Sequence, residues 1–252
     1  MAKIAIVTGA SGGIGKVFTD RISAMEDIDE IWAVGRNSEK LEALRSVYPK
    51  VVPVSADLSD GKCEPLPNML KSNSPDVRIL INNAGVGYME AFDKMPADHI
   101  LRVCNINCTA PALIMSEVLP YMNEGSRVIN ISSASSFQPN PYLAMYSASK
   151  VFLKNLSRAV NRELKSRGIT VTCVCPGWVD TGMLPKEING RKIKFVGMIK
   201  PERVADKALK DSAKGKDMSV PGLFSKYFRI YSKVTPTRII MDLWVAIIGK
   251  YV

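Results

Sequence analysis

Tyr146 and Lys150 are the pair with the clearest potential for chemistry in this 252-residue sequence. They stand four positions apart in PYLAMYSASKVFLKNL, and a helix places positions i and i+4 on one face. A free tyrosine has a pKa of about 10 and exchanges protons poorly at neutral pH. A cation held beside the phenol favours the phenolate and lowers that pKa. The spacing therefore predicts an acid–base tyrosine, assisted by the lysine and by the positive end of the helix.

A glycine-rich segment, TGASGGIG at residues 8–15, follows the apolar run KIAIVT. Glycine has no Cβ, so the backbone can turn tightly and approach a pyrophosphate closely. A helix that starts at such a turn adds free N–H groups and positive partial charge. Because a strand precedes the segment and a helix follows it, we interpret it as the phosphate-binding turn of a dinucleotide site. A simple tight turn is the alternative.

Apolar runs alternate with amphipathic stretches along the whole chain. This alternation predicts an α/β fold of the Rossmann type, with a doubly wound, mostly parallel sheet of about seven strands and helices on both faces. We interpret residues 1–252 as a single domain. Strands are expected at 3–8, 30–35, 51–56, 78–85, 126–133, 169–176 and near 218–222. Helices are expected at 13–25, at 38–48 with Ser38 as N-cap, at 108–122 with Pro111 near the start, and at 142–167 closed by Gly168.

The segments with chemical potential all follow predicted strands. In a parallel sheet, ligands bind beyond the carboxyl ends of the strands, where the strand order reverses. We therefore expect these segments to meet in one site at one edge of the sheet. In chain order they are 8–15 after the first strand, Arg36 after the second, Asp57 after the third, 82–85 after the fourth, Ser133 after the fifth and 176–181 after the sixth.

Three motifs together resemble one known family. The spacing G-x-x-x-G-x-G, the segment NNAG at 82–85 and Tyr146-x-x-x-Lys150 look like the short-chain dehydrogenase/reductase family, over residues 3 to about 183. The resemblance implies a single Rossmann-type domain, a nicotinamide dinucleotide, and hydride transfer between a secondary alcohol and a ketone.

The resemblance also implies roles for individual residues. Tyr146 donates the proton in reduction and accepts it in oxidation, while Lys150 lowers its pKa and binds the nicotinamide ribose. Ser133 stabilises the charge on the substrate oxygen, and Asn107 holds a water for proton relay. The segment at 176–181 supports the nicotinamide carboxamide. The residues that would contact the dinucleotide are Gly9, Ser11, Gly13, Ile14, Gly15, Arg36, Asp57, Asn83, Gly85, Tyr146, Lys150, Pro176, Gly177, Val179 and Thr181.

Each proposed catalytic residue also has an ordinary structural explanation. Tyr146 and Lys150 suit a helix-face pair, Ser133 a strand-end hydroxyl, and Asn107 a cap for a helix that starts near Cys108. Ser132 competes with Ser133, but neighbouring residues of a strand point to opposite sides. The joint occurrence of all four residues with the glycine turn favours the enzyme.

Arg36 bears on the choice of dinucleotide. NAD-selective sites place an acid at the end of the second strand, where it binds the ribose 2′-hydroxyl. Here that end reads AVGRNSEK, and a guanidinium suits a 2′-phosphate. We therefore predict NADP(H). Many NADP-using relatives also carry a cation inside the turn, where this chain has Gly12, and Ser11 is then the alternative phosphate donor. Asp57 contacts adenine by resemblance, or caps the helix that follows.

The predicted substrate is a large apolar ketone or alcohol of the hydroxysteroid type. The loop at 178–200 carries most of the apolar residues that suggest such a pocket, and Phe137, Tyr142 and Tyr88 are expected on the opposite wall. A 3-oxoacyl reductase of the same family and a catalytically silent dinucleotide-binding or membrane-peripheral protein are the alternatives. The loop residues are Trp178, Met183, Leu184, Ile188, Ile193, Phe195, Val196 and Met198.

Positive charge is concentrated at the end of the chain. Residues 186–252 carry 15 of the 34 Lys and Arg residues but only 6 of the 24 Asp and Glu residues. The basic and aromatic extension at 223–252 ends in the apolar run 239–248, which is too short to span a bilayer. We expect this extension to form a pocket wall or a homodimer or homotetramer contact, and rank contact with a membrane surface second. No nucleic-acid motif accompanies the charge.

Five cysteines and the lack of an export signal favour reduced thiols and a cytoplasmic protein. Cys104 and Cys108 follow His99, a spacing that raises the question of a metal site. His99 is the only histidine, and no other cysteine pair has metal-ligand spacing. We therefore expect no metal, and interpret the cysteines as small buried apolar residues.

Overall fold

The computed structural model of the chain describes residues 1–184, 187–188, 191–193 and 195–249. Its strands are β1 (Lys3–Thr8), β2 (Glu30–Gly35), β3 (Val51–Ser55), β4 (Asp76–Asn82), β5 (Arg127–Ile131), β6 (Thr170–Val174) and β9 (Met218–Ser219), besides a separate antiparallel pair, β7 (Glu187–Ile188) and β8 (Arg191–Lys192). One sheet has the strand order β3-β2-β1-β4-β5-β6-β9, and every neighbouring pair in it is parallel. This confirms the predicted doubly wound sheet, and the order reverses between β1 and β4.

Helices cover both faces of this sheet, because consecutive strand residues point to opposite sides. Ile4 and Ile6 of β1 join the core on one face, while Ala5 and Val7 join the core on the other. The helices are α1 (Gly13–Ser23), α2 (Ser38–Val47), α3 (Leu66–Asn73), α4 (Ala97–Cys104), α5 (Ala110–Val118), α6 (Ala144–Glu163), α7 (Pro201–Ala213), α8 (Leu223–Val234) and α9 (Thr237–Ile248). The first core also holds residues of α3 and α5, and the second holds residues of α1, α2 and α7.

The helix expected at 108–122 is wrong in its bounds. The structure has α4, a π-helical segment at Asn105–Thr109, α5, and a 3-10 turn at Leu119–Tyr121 in direct succession. Ser38 does not cap α2. The N-cap is Asn37, whose Oδ1 accepts a hydrogen bond from the backbone N–H of Lys40 at 2.8 Å. The long helix expected at 142–167 is α6 followed by a 3-10 turn, and Gly168 ends it at φ +66°.

The final two helices, α8 and α9, pack back on loops at the carboxyl edge of the sheet. A Cβ placed on Gly177 would come within 2.7 Å of the Ser225 hydroxyl, so the start of α8 touches the loop after β6. In α9, Trp244 Nε1 donates a hydrogen bond to the carbonyl of Pro141 at 2.8 Å. Among the helices of the described residues, none has both the length and the apolar character needed to cross a membrane.

Candidate active site

A cavity of about 1050 Å³ opens at the carboxyl ends of the central strands. The loops after β1, β4, β5 and β6 form one side of it, and α8 and α9 form another. Four of the six expected segments therefore meet at this cavity, whereas those after β2 and β3 do not line it. The residues predicted for the site that line the cavity are Gly9, Gly13, Ile14, Asn83, Gly85, Ser133, Tyr146, Lys150, Pro176, Gly177, Val179 and Thr181.

The glycine-rich turn has the geometry of a phosphate cradle. Gly9 and Gly13 adopt φ values of +65° and +52°, a region that favours glycine. A Cβ on Gly15 would lie 2.1 Å from the carbonyl oxygen of Gly9, so this position is closed to other residues. A Cβ on Gly12 would meet nothing within 4 Å, so the backbone there borders open space. Since α1 begins at Gly13, its free N–H groups lie beside that space, and these residues fit a dinucleotide.

Asn83 holds the turn against the end of β4. Its Nδ2 donates to the carbonyl oxygens of Thr8 and Gly9 at 3.1 and 3.2 Å. Its own backbone N–H donates to the Thr8 hydroxyl at 3.0 Å. Asn83 thus fixes the turn as well as lining the cavity. The sequence predicted only its contact with the cofactor.

Ser11, Gly15, Arg36, Asp57 and Asn107 were predicted for the site but do not line the cavity. Arg36 is exposed, directly after β2. The Ser11 hydroxyl reaches the same strand end, since a Cβ on Gly35 would lie 3.7 Å from it. Asp57 caps the next 3-10 turn through the Ser59 N–H at 2.9 Å, and this bond lowers the pKa of the carboxyl, helped by the nearby Arg36. The structure thus shows the capping contact of Asp57, and its contact with adenine stays a prediction.

The α6 helix presents Tyr146 and Lys150 on one side, as their spacing predicts. The Lys150 side chain is buried, and its Nζ donates to the backbone carbonyl of Ile131 at 3.0 Å. The same nitrogen lies 5.5 Å from the centre of the Tyr146 ring. A Cβ on Gly87 would touch that ring at 2.7 Å, so the loop after β4 packs directly against the phenol. The loop thereby excludes water from one side of the tyrosine.

Burial dominates the pKa values of both side chains. It raises the pKa of Tyr146 above 10, and the Ser133 hydroxyl acts in the opposite direction. It lowers the pKa of Lys150 to about 8. The predicted lowering of the Tyr146 pKa by Lys150 is therefore not seen in this arrangement, because desolvation of the buried phenol is the largest influence on that pKa.

Asn107 sits in the π-helical segment and is completely buried. Its Oδ1 accepts from the N–H of Val86 at 2.9 Å, and its Nδ2 donates to the carbonyl of Val86 at 2.9 Å and to the Ser149 hydroxyl at 3.0 Å. The Ser149 hydroxyl donates in turn to the carbonyl of Tyr146 at 2.7 Å. Asn107 is therefore not a helix cap, and its side chain ties the loop after β4 to α6.

Ser132 and Ser133 take different positions, as strand alternation predicts. The Ser132 hydroxyl donates to the backbone carbonyl of Lys150 at 2.7 Å and fixes α6 to β5. The Ser133 hydroxyl accepts from the N–H of Ser135 at 3.1 Å at the start of a 3-10 turn. The second serine is the one whose hydroxyl acts on the pKa of Tyr146.

Sequence reasoning missed a buried polar chain beneath the site. Asn82 Nδ2 donates to Asn130 Oδ1 at 2.9 Å, and Asn130 Nδ2 donates to the Ser157 hydroxyl at 2.9 Å. These bonds join β4, β5 and α6 across the core. Asn82 ends the apolar run of β4 and Asn130 interrupts that of β5, which was the available signal, since buried polar groups need partners.

The substrate side of the cavity confirms most of the predicted loop residues. Met198 does not line the cavity, and the side chain of Ile188 lies outside the described residues. The expected opposite wall is wrong, because Phe137, Tyr142 and Tyr88 do not line it. Phe137 packs in a small core with Cys173 and Cys175, and Tyr88 stacks on His99. The loop residues that line the cavity are Trp178, Met183, Leu184, Ile193, Phe195 and Val196.

Aromatic residues of the C-terminal helices replace the expected wall. Phe224, Phe228 and Tyr231 of α8 line the cavity, together with Trp244 of α9. Trp244 stacks nearly parallel to Trp178, with ring centroids 6.2 Å apart. The spacing of the three α8 aromatics is i, i+4 and i+7, a helical signal that was readable in the sequence.

Two amides interrupt this mainly apolar wall. Both side-chain amide atoms of Gln138 and the Oδ1 of Asn140 are buried without a hydrogen-bond partner among the described residues. Both residues line the cavity. Buried unpaired polar groups are rare in folded proteins and mark water, ion or ligand positions.

Comparison with known proteins identifies similar chains. Residues 3–192 match the family model described as short chain dehydrogenase. A human protein named inactive hydroxysteroid dehydrogenase-like protein 1 is 35% identical over 71% of this chain and 56% of the relative. A very-long-chain 3-oxoacyl-CoA reductase from Anas platyrhynchos is 32% identical over 71% of this chain and 60% of the relative. The chain thus spans little more than half the length of these curated relatives.

Among solved structures, a short chain dehydrogenase from Burkholderia cenocepacia J2315 in complex with NADP is similar over most of its length. The two chains are 25% identical, with a TM-score of 0.73. The match covers 87% of this chain and 96% of that one. The likeness therefore extends over most of both chains.

Proposed function

The chain belongs to the short-chain dehydrogenase family, and from that premise we propose that it is an NADP(H)-dependent oxidoreductase of a large apolar ketone or secondary alcohol, of the hydroxysteroid type. One observation carries this proposal. Ser133, Tyr146 and Lys150 line the same cavity as the glycine turn. Proton-transfer groups and a phosphate cradle within one mainly apolar cavity suit redox chemistry at a carbonyl.

The chain's own residues supply the proton and the charge stabilisation. When bound, the dinucleotide supplies hydride chemistry; residues of the glycine turn, Asn83, Lys150 and Thr181 would hold it. Tyr146 keeps its proton at neutral pH, as any phenol with an ordinary or raised pKa does, and it donates that proton to the carbonyl oxygen. The Ser133 hydroxyl stabilises the charge that develops on the same oxygen. Lys150 favours release of the phenolic proton whenever its own amine is charged.

A phenol that holds its proton is a donor, so we propose ketone reduction as the working direction. The choice of NADP(H) is supported by a different part of the site, the end of β2, where Arg36 and Ser11 lie. A guanidinium and a hydroxyl there are donors for a 2′-phosphate, while Asp57 is engaged with the N–H of Ser59. Residues 35–38, which precede Glu39, contain no acid that would repel this phosphate.

A 3-oxoacyl thioester is the second candidate substrate, and the unpaired amides favour it. Such a substrate carries a second carbonyl close to the reacting one. Gln138 offers a donor and an acceptor for such a carbonyl. The atoms beside a steroid ketone are carbon and would leave both amide atoms unpaired. The name of the Anas platyrhynchos relative agrees with this candidate.

The relative named inactive makes a catalytically silent binding protein the alternative to an enzyme. A single set of assays separates the three. The chain is incubated with NADPH or NADH and with steroid ketones, bulky aryl ketones and 3-oxoacyl-CoA thioesters, while dinucleotide oxidation and affinity are measured.

Turnover with a ketone and NADPH supports the proposal, and the ratio of kcat/KM for steroid and thioester selects the substrate class. Gln138→Met is expected to lower kcat/KM for the thioester about tenfold while sparing a simple ketone, because one hydrogen bond is lost. Tight NADPH binding without turnover on any of these ketones would establish the silent protein instead.

A further inference from the structure

Each of the two C-terminal helices leaves an apolar stripe exposed. On α8, Leu223, Tyr227, Ile230 and Val234 are 64–76% exposed. Their spacing of i, i+4, i+7 and i+11 places them on one side of the helix. On α9 the exposed apolar residues follow the same kind of spacing: Ile239, Leu243 and Ile247 are 49–58% exposed. Apolar surface arranged in this way on consecutive helices marks an interaction site.

The mouth of the large cavity lies within this apolar surface. Tyr227, Leu243 and Ile247 belong to the exposed stripe and also line the cavity. Met183 and Val196, from the loop after β6, are likewise both exposed and cavity-lining. A molecule that enters the cavity beside these residues therefore crosses apolar rather than polar protein surface.

A basic flank borders the stripe on α8. Lys226, Arg229 and Lys233 line a second cleft, of about 520 Å³, together with Lys207 and Lys216. Asp211 pairs with Lys207 and Lys216 at 2.7 and 2.8 Å. Within the described part of the chain, no carboxylate lies within ion-pair distance of the three α8 cations. Their charge is therefore available to an anionic partner.

We propose that α8 and α9 dock on the surface of an anionic lipid bilayer. The apolar stripe would lie at the boundary between headgroups and acyl chains, and the α8 cations would contact anionic headgroups. The cavity mouth then faces the lipid, so that an apolar substrate enters from the membrane; this last clause rests on the proposed function, whereas the docking itself does not.

Charge argues against a second copy of this chain as the occupant of the stripe. A symmetric contact places the same surface on both partners, so the α8 cations would meet a copy that carries the same cations. An anionic bilayer complements this charge and accepts the stripe in the same contact.

Vesicle flotation tests the proposal. The purified chain is mixed with phosphatidylcholine vesicles, with or without phosphatidylserine, and the bound fraction is measured. Binding to phosphatidylserine vesicles is expected to exceed binding to phosphatidylcholine at least about tenfold. It is expected to fall as ionic strength rises from about 0.1 M to about 1 M, because the Debye length shortens.

Two variants separate the contributions of the surface. L223S/I230S/V234S removes apolar residues that do not line the cavity, and K226E/R229E/K233E reverses the flank. Each is expected to lower vesicle binding about tenfold or more. K40E/K62E/K71E is the matched control: it changes net charge equally at exposed lysines on other elements and is expected to keep binding. Far-ultraviolet circular dichroism verifies that each variant is folded.

The proposal would be overturned if L223S/I230S/V234S and K226E/R229E/K233E bound vesicles as well as wild type does. A lack of preference for phosphatidylserine would also overturn it. Analytical ultracentrifugation tests whether a second copy of this chain occupies the stripe instead. If wild type is an oligomer that binds no vesicles, and L223S/I230S/V234S dissociates it, the stripe serves self-association. Turnover of a soluble ketone without vesicles is expected to stay the same in both variants. Loss of docking is thereby distinguished from failure of the proposed enzyme function.

Discussion

Lys150 Nζ lies 5.5 Å from the centre of the Tyr146 ring while it donates its hydrogen bond to the carbonyl of Ile131. The lysine is thus anchored to β5 and reaches the phenol through space rather than through a bond. Burial lowers its pKa to about 8 and raises that of Tyr146. The pair consequently holds one proton firmly on the tyrosine and a second one loosely on the lysine.

Replacing Tyr146 by phenylalanine removes the proton donor and little else. We expect NADPH affinity to stay within about twofold and kcat to fall by about 10²–10⁴-fold, as for the loss of a general acid. Fluorescence titration and NADPH oxidation with the best ketone measure the two quantities. Tyr142→Phe is the control, since Tyr142 does not line the cavity and should retain its kcat. Near-normal turnover in Tyr146→Phe would remove the tyrosine from the mechanism.

Lys150 is expected to make stability increase with pH. Its pKa is about 8 in the folded chain, against an ordinary value of 10.5, so the unfolded chain binds the proton more tightly. Its cost to folding is fully present below about pH 8 and is relieved as pH rises toward 10.5. The free energy of unfolding should gain about 2 kcal/mol from this residue between pH 7 and pH 9.5.

Urea unfolding of wild type and Lys150→Met at both pH values measures that contribution. It equals the rise in unfolding free energy of wild type minus the rise in that of the variant. The variant lacks the titrating group, so its stability should show the smaller rise. A parallel change in the two proteins would mean that the amine titrates near its ordinary pKa.

Gly15 and Gly12 are expected to respond in opposite ways to one added methyl group. Gly15→Ala forces a Cβ against the carbonyl oxygen of Gly9, and should lower the free energy of unfolding by at least about 2 kcal/mol. Gly12→Ala places its Cβ in open space with φ at −163°, an extended conformation that alanine adopts, so stability should be unchanged. Denaturant midpoints of the two variants check this, and equal midpoints would contradict the closed geometry of the turn.

Arg36→Gln tests the dinucleotide preference. A charge-assisted hydrogen bond to a phosphate contributes about 1.5–3 kcal/mol, so NADPH affinity should fall about 10- to 100-fold while NADH affinity holds. Isothermal titration with each dinucleotide measures both. Arg45→Gln, an exposed arginine at the end of α2, is the matched control and should change neither. An equal loss for both dinucleotides would place Arg36 away from the 2′-phosphate.

The sheet was predictable because its signals are local. Strands buried on both faces read as apolar runs, and Lys3–Thr8 and Glu30–Gly35 match their predicted bounds. The loops that follow the strands carry the chemical motifs, so the parallel order alone predicts that they meet. Strand alternation likewise predicted that the hydroxyls of Ser132 and Ser133 would make different contacts.

The remaining features depend on partners that are distant in sequence. The pKa of Tyr146 is raised by packing from other elements, which no spacing within α6 reveals. The π-helical turn places Asn107 against Val86, and its residues read as ordinary helix. The helices α8 and α9 combine cavity-lining aromatics with exposed apolar residues, so their pattern lacks the single polar face of an ordinary surface helix.

The order of elements along the chain separates two properties of this protein. The groups proposed for proton transfer end at Lys150, whereas the aromatic cavity wall of α8 and α9 begins at Phe224. Related proteins can therefore evolve different substrate ranges by changing this one terminal segment. The reaction centre can stay under selection and remain unchanged meanwhile.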